Sequence, residues 1–304
     1  MYLPFFVYYR VSFIVCLAVF ATVGCKTDSI DIHSGLKRNT YKPHTSIKNI
    51  VLDLHGVLFV GQTSTFTVIK QVGLLPFVSY GLQFGKEIFY VKQMVFKILD
   101  KMHPKTTTAI TKAQDNKAET LPMIMQEWLA GNKTGTETVE IIKQKAIEEP
   151  SLFRSAVEKK LFLKVTELMF APQIFAKIQH LNPMAYNFIK KLKKNGFRIY
   201  VLSNWDKESF DIIKTKYADF FELFDGITIS ADIGYNKPAN QAYYSFFEQH
   251  NLNPAECLFI DDQKINIDGA ISCGMDGFVC PYQKIGFADF QKTYQHIAMH
   301  TKQN

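Results

Sequence analysis

The chain has 304 residues, of which 47% are apolar and 21% are charged, and its formal net charge is +7. These values are those of an ordinary globular protein that is long enough for one large or two smaller domains. The basic excess lies within residues 1–185, because residues 186–304 carry 13 Lys and Arg against 14 Asp and Glu. The sequence has no stripe of Lys and Arg interleaved with aromatic residues, so its composition argues against nucleic-acid binding.

The N-terminus contains an apolar segment, residues 11–24, that lies between Arg10 and Lys26. This pattern predicts a signal peptide or a membrane anchor over residues 1–25, followed by a hydrophilic linker over residues 26–48. We therefore expect an exported or membrane-associated protein, located in the periplasm or cell envelope if it is bacterial. The alternative is a cytoplasmic protein in which the apolar segment is a buried helix.

The cysteines carry little functional information. Cys25 ends a tetrapeptide that loosely resembles a bacterial lipoprotein cleavage box, so lipidation there is a lesser alternative. Cys257, Cys273 and Cys280 show no spacing typical of a zinc site, and we interpret them as buried free thiols. A disulfide among these three is an alternative if the protein is exported.

The first predicted strand is 49–54, and a long insertion over 62–182 separates it from the next one. Apolar residues recur at helical spacing in this insertion, which predicts a mainly helical cap domain. The aromatic stretch 77–84 is interpreted as helical core, with a pocket lining as the alternative. The helical stretches are 89–99, 121–129, 139–147 and 151–169, with breaks at Gly73, Gly81, Gly131 and Pro150.

From Pro183 onward, helices and strands alternate regularly. This succession predicts an α/β fold in which residues 49–61 and 183–304 form a doubly wound, parallel, Rossmann-like sheet with right-handed crossovers. The predicted helices are 184–195, 207–217, 238–251 and 264–273, and the predicted strands are 198–203, 226–230, 257–261 and 277–280.

Polar residues follow three of the predicted strands directly: Asp53, Ser203 and the pair Asp261 and Asp262. The carboxyl ends of parallel strands meet at one edge of a sheet, where open α/β folds bind their ligands. Lys237 lies in the sequence between the last two of these strands. One carboxylate, one hydroxyl, one cation and an acidic pair together predict a site that handles phosphate.

Four segments, IVLDLHGVL (50–58), IYVLSN (199–204), GYNKPAN (234–240) and LFIDDQKIN (258–266), resemble the four motifs of the haloacid dehalogenase superfamily. Their order and spacing are similar to those of members whose cap lies between the first and second motifs. Residues 196–274 resemble most closely the sugar-phosphatase-like branch. The resemblance implies a magnesium-dependent phosphatase that acts on a small phosphorylated metabolite.

The resemblance also implies a role for each motif residue. Asp53 matches the nucleophile that forms an aspartyl-phosphate. Ser203, Asn204 and Lys237 match residues that bind the phosphate and offset its charge. A turn serine and a solvated lysine are the alternatives for Ser203 and Lys237 taken singly.

The acidic pair matches the Mg²⁺-binding motif of the family. Asp262 is the expected direct ligand, Asp261 supports it, and Asp53 and the backbone carbonyl of His55 complete the metal site. A helix N-cap is the alternative for the acidic pair. The retained pair argues against carbon–halogen cleavage, which in this superfamily needs no Mg²⁺.

His55 departs from the family pattern, because phosphatases of the superfamily usually have a second Asp there as general acid and base. Histidine could act as a substitute and give an altered pH profile, since its ordinary pKa is about 6.5. Alternatively, the change leaves a catalytically impaired protein that binds phosphate ligands or a protein partner, or it redirects Asp53 to different chemistry. Trp205 could face the substrate or pack at the cap interface.

Overall fold

The computed structural model describes residues 47–61, 72–103, 121–280 and 289–301. The expectations for residues 1–25, and for all but the end of the linker, lie outside the described residues. None of the helices in these four ranges combines the length and the apolar character needed to cross a membrane.

Five parallel strands form a central sheet in the order β5-β4-β1-β6-β7, which confirms the predicted α/β fold. Strand β1 lies in the middle, with Asn49 paired to Arg198 on one side and to Cys257 on the other. Two further strands, β2 and β3, form a separate antiparallel pair. The strands are β1 (Asn49–Leu52), β2 (Phe59–Gly61), β3 (Gln179–Leu181), β4 (Arg198–Ser203), β5 (Gly226–Ile229), β6 (Cys257–Asp261) and β7 (Asp276–Val279).

The helices divide at β3. Those before it lie in the insertion between β2 and β3, and those after it alternate with the strands of the sheet. The first group is α1 (Leu74–Phe84), α2 (Val91–Met102), α3 (Met123–Leu129), α4 (Gly135–Glu148), α5 (Ala156–Phe170) and α6 (Pro172–Ile178). The second group is α7 (Ala185–Lys194), α8 (Lys207–Lys216), α9 (Ala218–Phe221), α10 (Ser230–Ile233), α11 (Asn240–His250), α12 (Lys264–Ser272) and α13 (Phe290–Thr301). Short 3₁₀ helices cover Gly85–Tyr90, Pro150–Leu152 and Pro254–Glu256.

The sheet is buried on both faces because successive side chains of a strand point in opposite directions. In β1, Ile50 and Leu52 pack into one apolar cluster with α7, α8 and α9. Val51 packs into a second cluster on the opposite face with α11 and α12. Helices on both faces of a parallel sheet are what the alternating sequence pattern predicts.

Helices α1 to α6, here called the cap, have an apolar cluster of their own. Its fully buried members include Tyr80, Leu99 and Phe162, which come from three different helices. Helix α4 begins at a capping box in which Thr134 and Glu137 bond each other's backbone amides. Helix α5 begins only after Ser155, whose hydroxyl accepts a hydrogen bond from the amide of Glu158.

The fold differs from the sequence prediction at one expected break and in several short elements. Helix α1 continues through Gly81, which the sequence analysis assigned to a break. The pair β2 and β3 and the helices α9 and α10 have only three or four residues each, too few to establish a period. Cys257, Cys273 and Cys280 are buried and form no disulfide with one another, as expected.

Candidate active site

Asp53 lies at the point where the order of the strands reverses. It directly follows β1, and its amide donates to the carbonyl of Ile260 in β6 at 2.9 Å. The chain leaves β1 for β4 and β5 on one side of the sheet and later adds β6 and β7 on the other. Such a reversal opens a crevice at the carboxyl edge of a doubly wound sheet. The buried Asp53 carboxylate is therefore held where this fold class binds its ligands.

The buried ammonium group of Lys237 contacts Asp53 and residues of both neighbouring strands, β4 and β6. Its Nζ lies 3.0 Å from Asp53 Oδ1 and 2.6 Å from Asp261 Oδ2. The same ammonium donates to the carbonyl of Leu202 at 2.9 Å. Burial lowers the pKa of Lys237, but the carboxylates of Asp261 and Asp53 outweigh it and leave the pKa above its ordinary value. The side chain is thus a fixed cation near neutrality.

Asp261 uses both of its oxygens within the protein. Oδ1 accepts from the amide of Gln263 at 2.8 Å, and the Asn266 side chain donates to both oxygens at 3.1 and 3.0 Å. Burial raises the pKa of Asp261, and the attraction of Lys237 opposes this rise. The carboxylate does not cap α12, whose N-cap is Gln263 without a side-chain hydrogen bond.

Three carboxylates meet at this edge of the sheet. Asp53, Asp261 and Asp262 each offer one oxygen, and these oxygens lie within 4.8 Å of one another. Hard divalent cations such as Mg²⁺ prefer carboxylate oxygen. Against these three carboxyl groups the structure sets the ammonium of Lys237, which pairs with Asp53 and Asp261. Both the donor atoms and the charge therefore fit a divalent cation, and Asp262 is the most exposed of the three.

Ser203 and Asn204, at the end of β4, have different environments. The buried Ser203 hydroxyl has no hydrogen-bond partner in the part of the chain that the structure describes. Asn204 bonds the backbone of Lys237 twice: its Oδ1 accepts from the Lys237 amide at 2.8 Å, and its Nδ2 donates to the carbonyl at 2.9 Å. The Ser203 hydroxyl is available to a ligand, whereas Asn204 is committed to the loop that carries Lys237.

His55 lies two residues beyond Asp53 and is partly buried. Its ring packs edge-on against Trp205, with 6.0 Å between ring centroids. The buried Nε2 has no hydrogen-bond partner among the described residues. Burial lowers the pKa of His55 below its ordinary value, although the negative charge of Asp53 opposes the shift. These surroundings favour a neutral imidazole with an available nitrogen.

Trp205 packs between the sheet and the cap. Its ring lies 6.2 Å from that of Phe59 and 5.8 Å from that of Phe175 in α6, measured between centroids. The indole nitrogen donates to the Ser209 hydroxyl at 2.8 Å. Of the two roles predicted for Trp205, facing the substrate or packing at the cap interface, the structure shows packing at the cap interface.

Hydrogen bonds that no sequence pattern predicts join the cap to the helices and loops around the site. The Ser230 hydroxyl donates to the carbonyl of Leu129 at 2.5 Å. Asn236, next to Lys237, donates to the carbonyl of Gln126 at 2.8 Å. These bonds connect residues more than 100 positions apart in the chain. The loop that carries Lys237 is therefore in direct contact with the cap.

Helix α8 also contacts the cap. The carboxylate of Glu208 accepts from the amide of Gly135, the first residue of α4, at 2.7 Å. It accepts from the amide of Thr136 at 3.2 Å as well. A negative charge at the N-terminus of a helix is favourable because the first amides have no partner within the helix.

A parallel α/β sheet with a carboxylate, a hydroxyl, a buried lysine and an acidic pair at its carboxyl edge defines a class of hydrolase. The family model for haloacid dehalogenase-like hydrolases matches residues 47–274, which is well over half of the chain. The protein belongs to this family.

Two curated relatives match a shorter stretch. The sesquiterpene phosphatase astK of Aspergillus oryzae is 31% identical over 91 residues, which cover 30% of this chain and 46% of that protein. An enolase-phosphatase E1 from Sulfurihydrogenibium sp. is 31% identical over 94 residues, 30% of this chain and 40% of that protein. The matched stretch thus spans less than half the length of either relative.

A solved structure shares the fold. It is that of a haloacid dehalogenase family enzyme of Bacteroides thetaiotaomicron, with 16% sequence identity and a TM-score of 0.51. The match covers 82% of this chain and 99% of that one.

Proposed function

We propose that the protein is a Mg²⁺-dependent phosphomonoester hydrolase that works through an aspartyl-phosphate on Asp53 and acts on a small phosphorylated metabolite. The observation that carries the proposal is the buried ammonium of Lys237, 3.0 Å from Asp53 and 2.6 Å from Asp261. Membership of the hydrolase family and the two phosphatases among its relatives support it.

In the first step, an Asp53 oxygen attacks the phosphorus of the ester. The bond between phosphorus and the leaving oxygen breaks, and that oxygen takes up a proton to leave as an alcohol. Negative charge spreads over the oxygens of the transferring group in the transition state. Lys237, held by its two carboxylate partners, and the Ser203 hydroxyl, which has no competing partner among the described residues, offset that charge.

In the second step, water attacks the phosphorus of the aspartyl-phosphate, inorganic phosphate leaves, and the Asp53 carboxylate is restored. Both steps need a group that moves a proton. We assign this role to His55, whose buried Nε2 has no competing partner in the described residues. The protonated ring donates its proton to the leaving oxygen, and the neutral imidazole that results accepts one from the attacking water. Because burial lowers the pKa of His55, the donating form is the less populated one near neutrality.

The metal site in this proposal consists of Asp53, the backbone carbonyl of His55, and Asp262, with Asp261 as a supporting residue. When bound, Mg²⁺ offsets the negative charges of Asp53 and the phosphate and polarises a phosphoryl oxygen. Asp261 is an unsuitable direct ligand because Lys237, Gln263 and Asn266 already engage its oxygens.

The second candidate is a catalytically impaired protein that binds phosphate ligands or a protein partner. The observation in its favour is that position 55 lacks the carboxylate that serves as general acid and base in the phosphatases that the sequence resembles. In this case the phosphate-binding groups remain, but the proton transfer fails.

From the sequence of residues 1–25 we also propose that the protein is exported or membrane-associated.

Hydrolysis of p-nitrophenyl phosphate separates the two candidates. We expect turnover that requires Mg²⁺ in the wild-type protein and none in Asp53→Asn. Absence of turnover at every pH from mildly acidic to mildly basic, together with retained vanadate binding, would instead support the impaired protein.

A further inference from the structure

Exposed apolar side chains are concentrated at the start of the cap. Twelve large hydrophobic side chains are exposed among the described residues, and half of them fall within residues 74–90. Such concentrations on a protein surface mark interaction sites, whereas singly scattered apolar residues do not. The six side chains are those of Leu74, Leu75, Val78, Leu82, Phe89 and Tyr90.

Helix α1 is apolar on two opposite sides. Pro76, Phe77 and Tyr80 are buried against the rest of the cap. At 3.6 residues per turn, an arc of about 100° on the opposite side of the helix carries four other apolar side chains. This arc, here called the outer face of α1, consists of Leu74, Leu75, Val78 and Leu82. Leu75 is 73% exposed and Leu82 is 85% exposed. An apolar helix face is normally covered, and no residue in the described part of the chain covers the outer face of α1.

We propose that the outer face of α1 docks on an anionic phospholipid bilayer. The 3₁₀ helix that follows α1 exposes Phe89 and Tyr90, aromatic residues of the kind enriched at membrane interfaces. Residues 72–103 carry four lysines against one Glu and one Asp, and Lys86, Lys97 and Lys101 are exposed. Apolar side chains flanked by lysines are typical of segments that lie in the headgroup region of anionic membranes.

The N-terminal sequence favours a bilayer, rather than the N-terminal segment itself, as the partner of the outer face of α1. Residues 11–24 are almost wholly apolar in sequence, so they call for an apolar environment larger than the outer face of α1. A bilayer covers both segments.

A tryptophan reporter tests the proposal in the full-length chain. Leu82→Trp places an indole on the outer face of α1, and Ile147→Trp places one on α4, where Ile147 is 67% exposed. The native Trp128 and Trp205 are buried and give a background that the wild-type protein measures. Vesicles of phosphatidylcholine and phosphatidylglycerol with brominated acyl chains quench indoles that enter the bilayer.

We expect the emission of Leu82→Trp to fall by at least half on binding these vesicles, with no change for Ile147→Trp. Binding to phosphatidylcholine alone should be several-fold weaker. Leu75→Trp is a second reporter on the same face and should behave as Leu82→Trp does. Vesicle binding without quenching at either position would overturn the proposal and leave the N-terminal segment as the only attachment. A dimer in solution with blue-shifted emission from Leu82→Trp would assign the face to a second copy instead.

Discussion

The side chain of Asn204 forms a closed pair of hydrogen bonds with the backbone of Lys237, at 2.8 and 2.9 Å. Asn204 follows β4, and Lys237 lies in the loop that precedes α11, so the pair joins two separate segments at the edge of the sheet. The lysine carries the charge of the site, but Asn204 holds the backbone from which it extends. Asn204 therefore positions Lys237, and its predicted contact with the phosphate stays a prediction.

Asn204→Ala should lower kcat by about 10- to 100-fold with little change in KM, because a displaced Lys237 no longer meets the transition state. The loss of two hydrogen bonds should cost about 1–3 kcal/mol of stability. Steady-state kinetics and urea denaturation measure these effects, with Asn195→Ala as an exposed control. A raised KM at unchanged kcat would instead show that Asn204 contacts the substrate directly.

His55→Ala should lower kcat by about 10²- to 10⁴-fold, which is the usual contribution of a general acid and base. His55→Asp should retain activity or exceed the wild-type rate, because a carboxylate can carry the same proton. The two variants are compared at saturating p-nitrophenyl phosphate and Mg²⁺. Equal rates for His55→Ala and the wild-type protein would remove His55 from the mechanism.

Lys237→Met should destabilise the protein by about 3–5 kcal/mol, because it leaves Asp53 and Asp261 buried without their counter-charge. Lys264→Met is the matched control: Lys264 pairs with Asp268 at 2.6 Å, but on the exposed surface. An exposed pair contributes about 0–1 kcal/mol. Urea denaturation without metal should therefore separate the two variants clearly, and similar losses would contradict the account.

The stability difference between the wild-type protein and Lys237→Met should depend on pH in a way that follows from the raised pKa of Lys237. A lysine whose pKa is higher in the folded state contributes its full stability below the unfolded value of about 10.4 and loses it only above that pH. The difference between wild type and Lys237→Met should thus persist from neutral to mildly basic pH. It should shrink in acid, where Asp261, whose pKa is raised by burial, becomes protonated.

Gly131→Ala should disturb the contact between the cap and α10. Gly131 has a φ of +75°, and an added Cβ would lie 2.5 Å from the carbonyl oxygen of Ala231. Gly196→Ala is the control, because Gly196 has a φ of +85° and nothing within 4 Å of an added Cβ. Both variants carry backbone strain of about 1–2 kcal/mol. Only Gly131→Ala should also lower turnover several-fold, and equal activities would show that this contact does not matter.

The sequence could predict the parts of the site that follow from the sheet. Asp53, Ser203 and Asp261 each end a strand, and parallel strands bring such residues to one edge without any knowledge of side-chain contacts. Lys237 was placed only by its position in the chain between β4 and β6, since nothing in a loop lysine indicates that its ammonium will be buried between two carboxylates.

Contacts between distant segments could not be predicted. The bonds from Ser230 to Leu129 and from Asn236 to Gln126 depend on how the cap packs, and no local pattern encodes them. Stretch 77–84 shows the same limit. Its aromatic residues suggested core, and Phe77 and Tyr80 are buried, yet Leu82 lies on the outer face of α1. Hydrophobicity alone did not distinguish the two sides.

The most direct test of the central claim is to trap the phosphate on Asp53. The protein is mixed with p-nitrophenyl phosphate and Mg²⁺, quenched in acid and reduced with borohydride, which converts an aspartyl-phosphate to homoserine. Peptide mass spectrometry then locates the reduced residue. We predict homoserine at position 53 in the wild-type protein and none without Mg²⁺ or in Asp53→Asn. Turnover with no modification at position 53, or with modification of a different residue, would contradict the account.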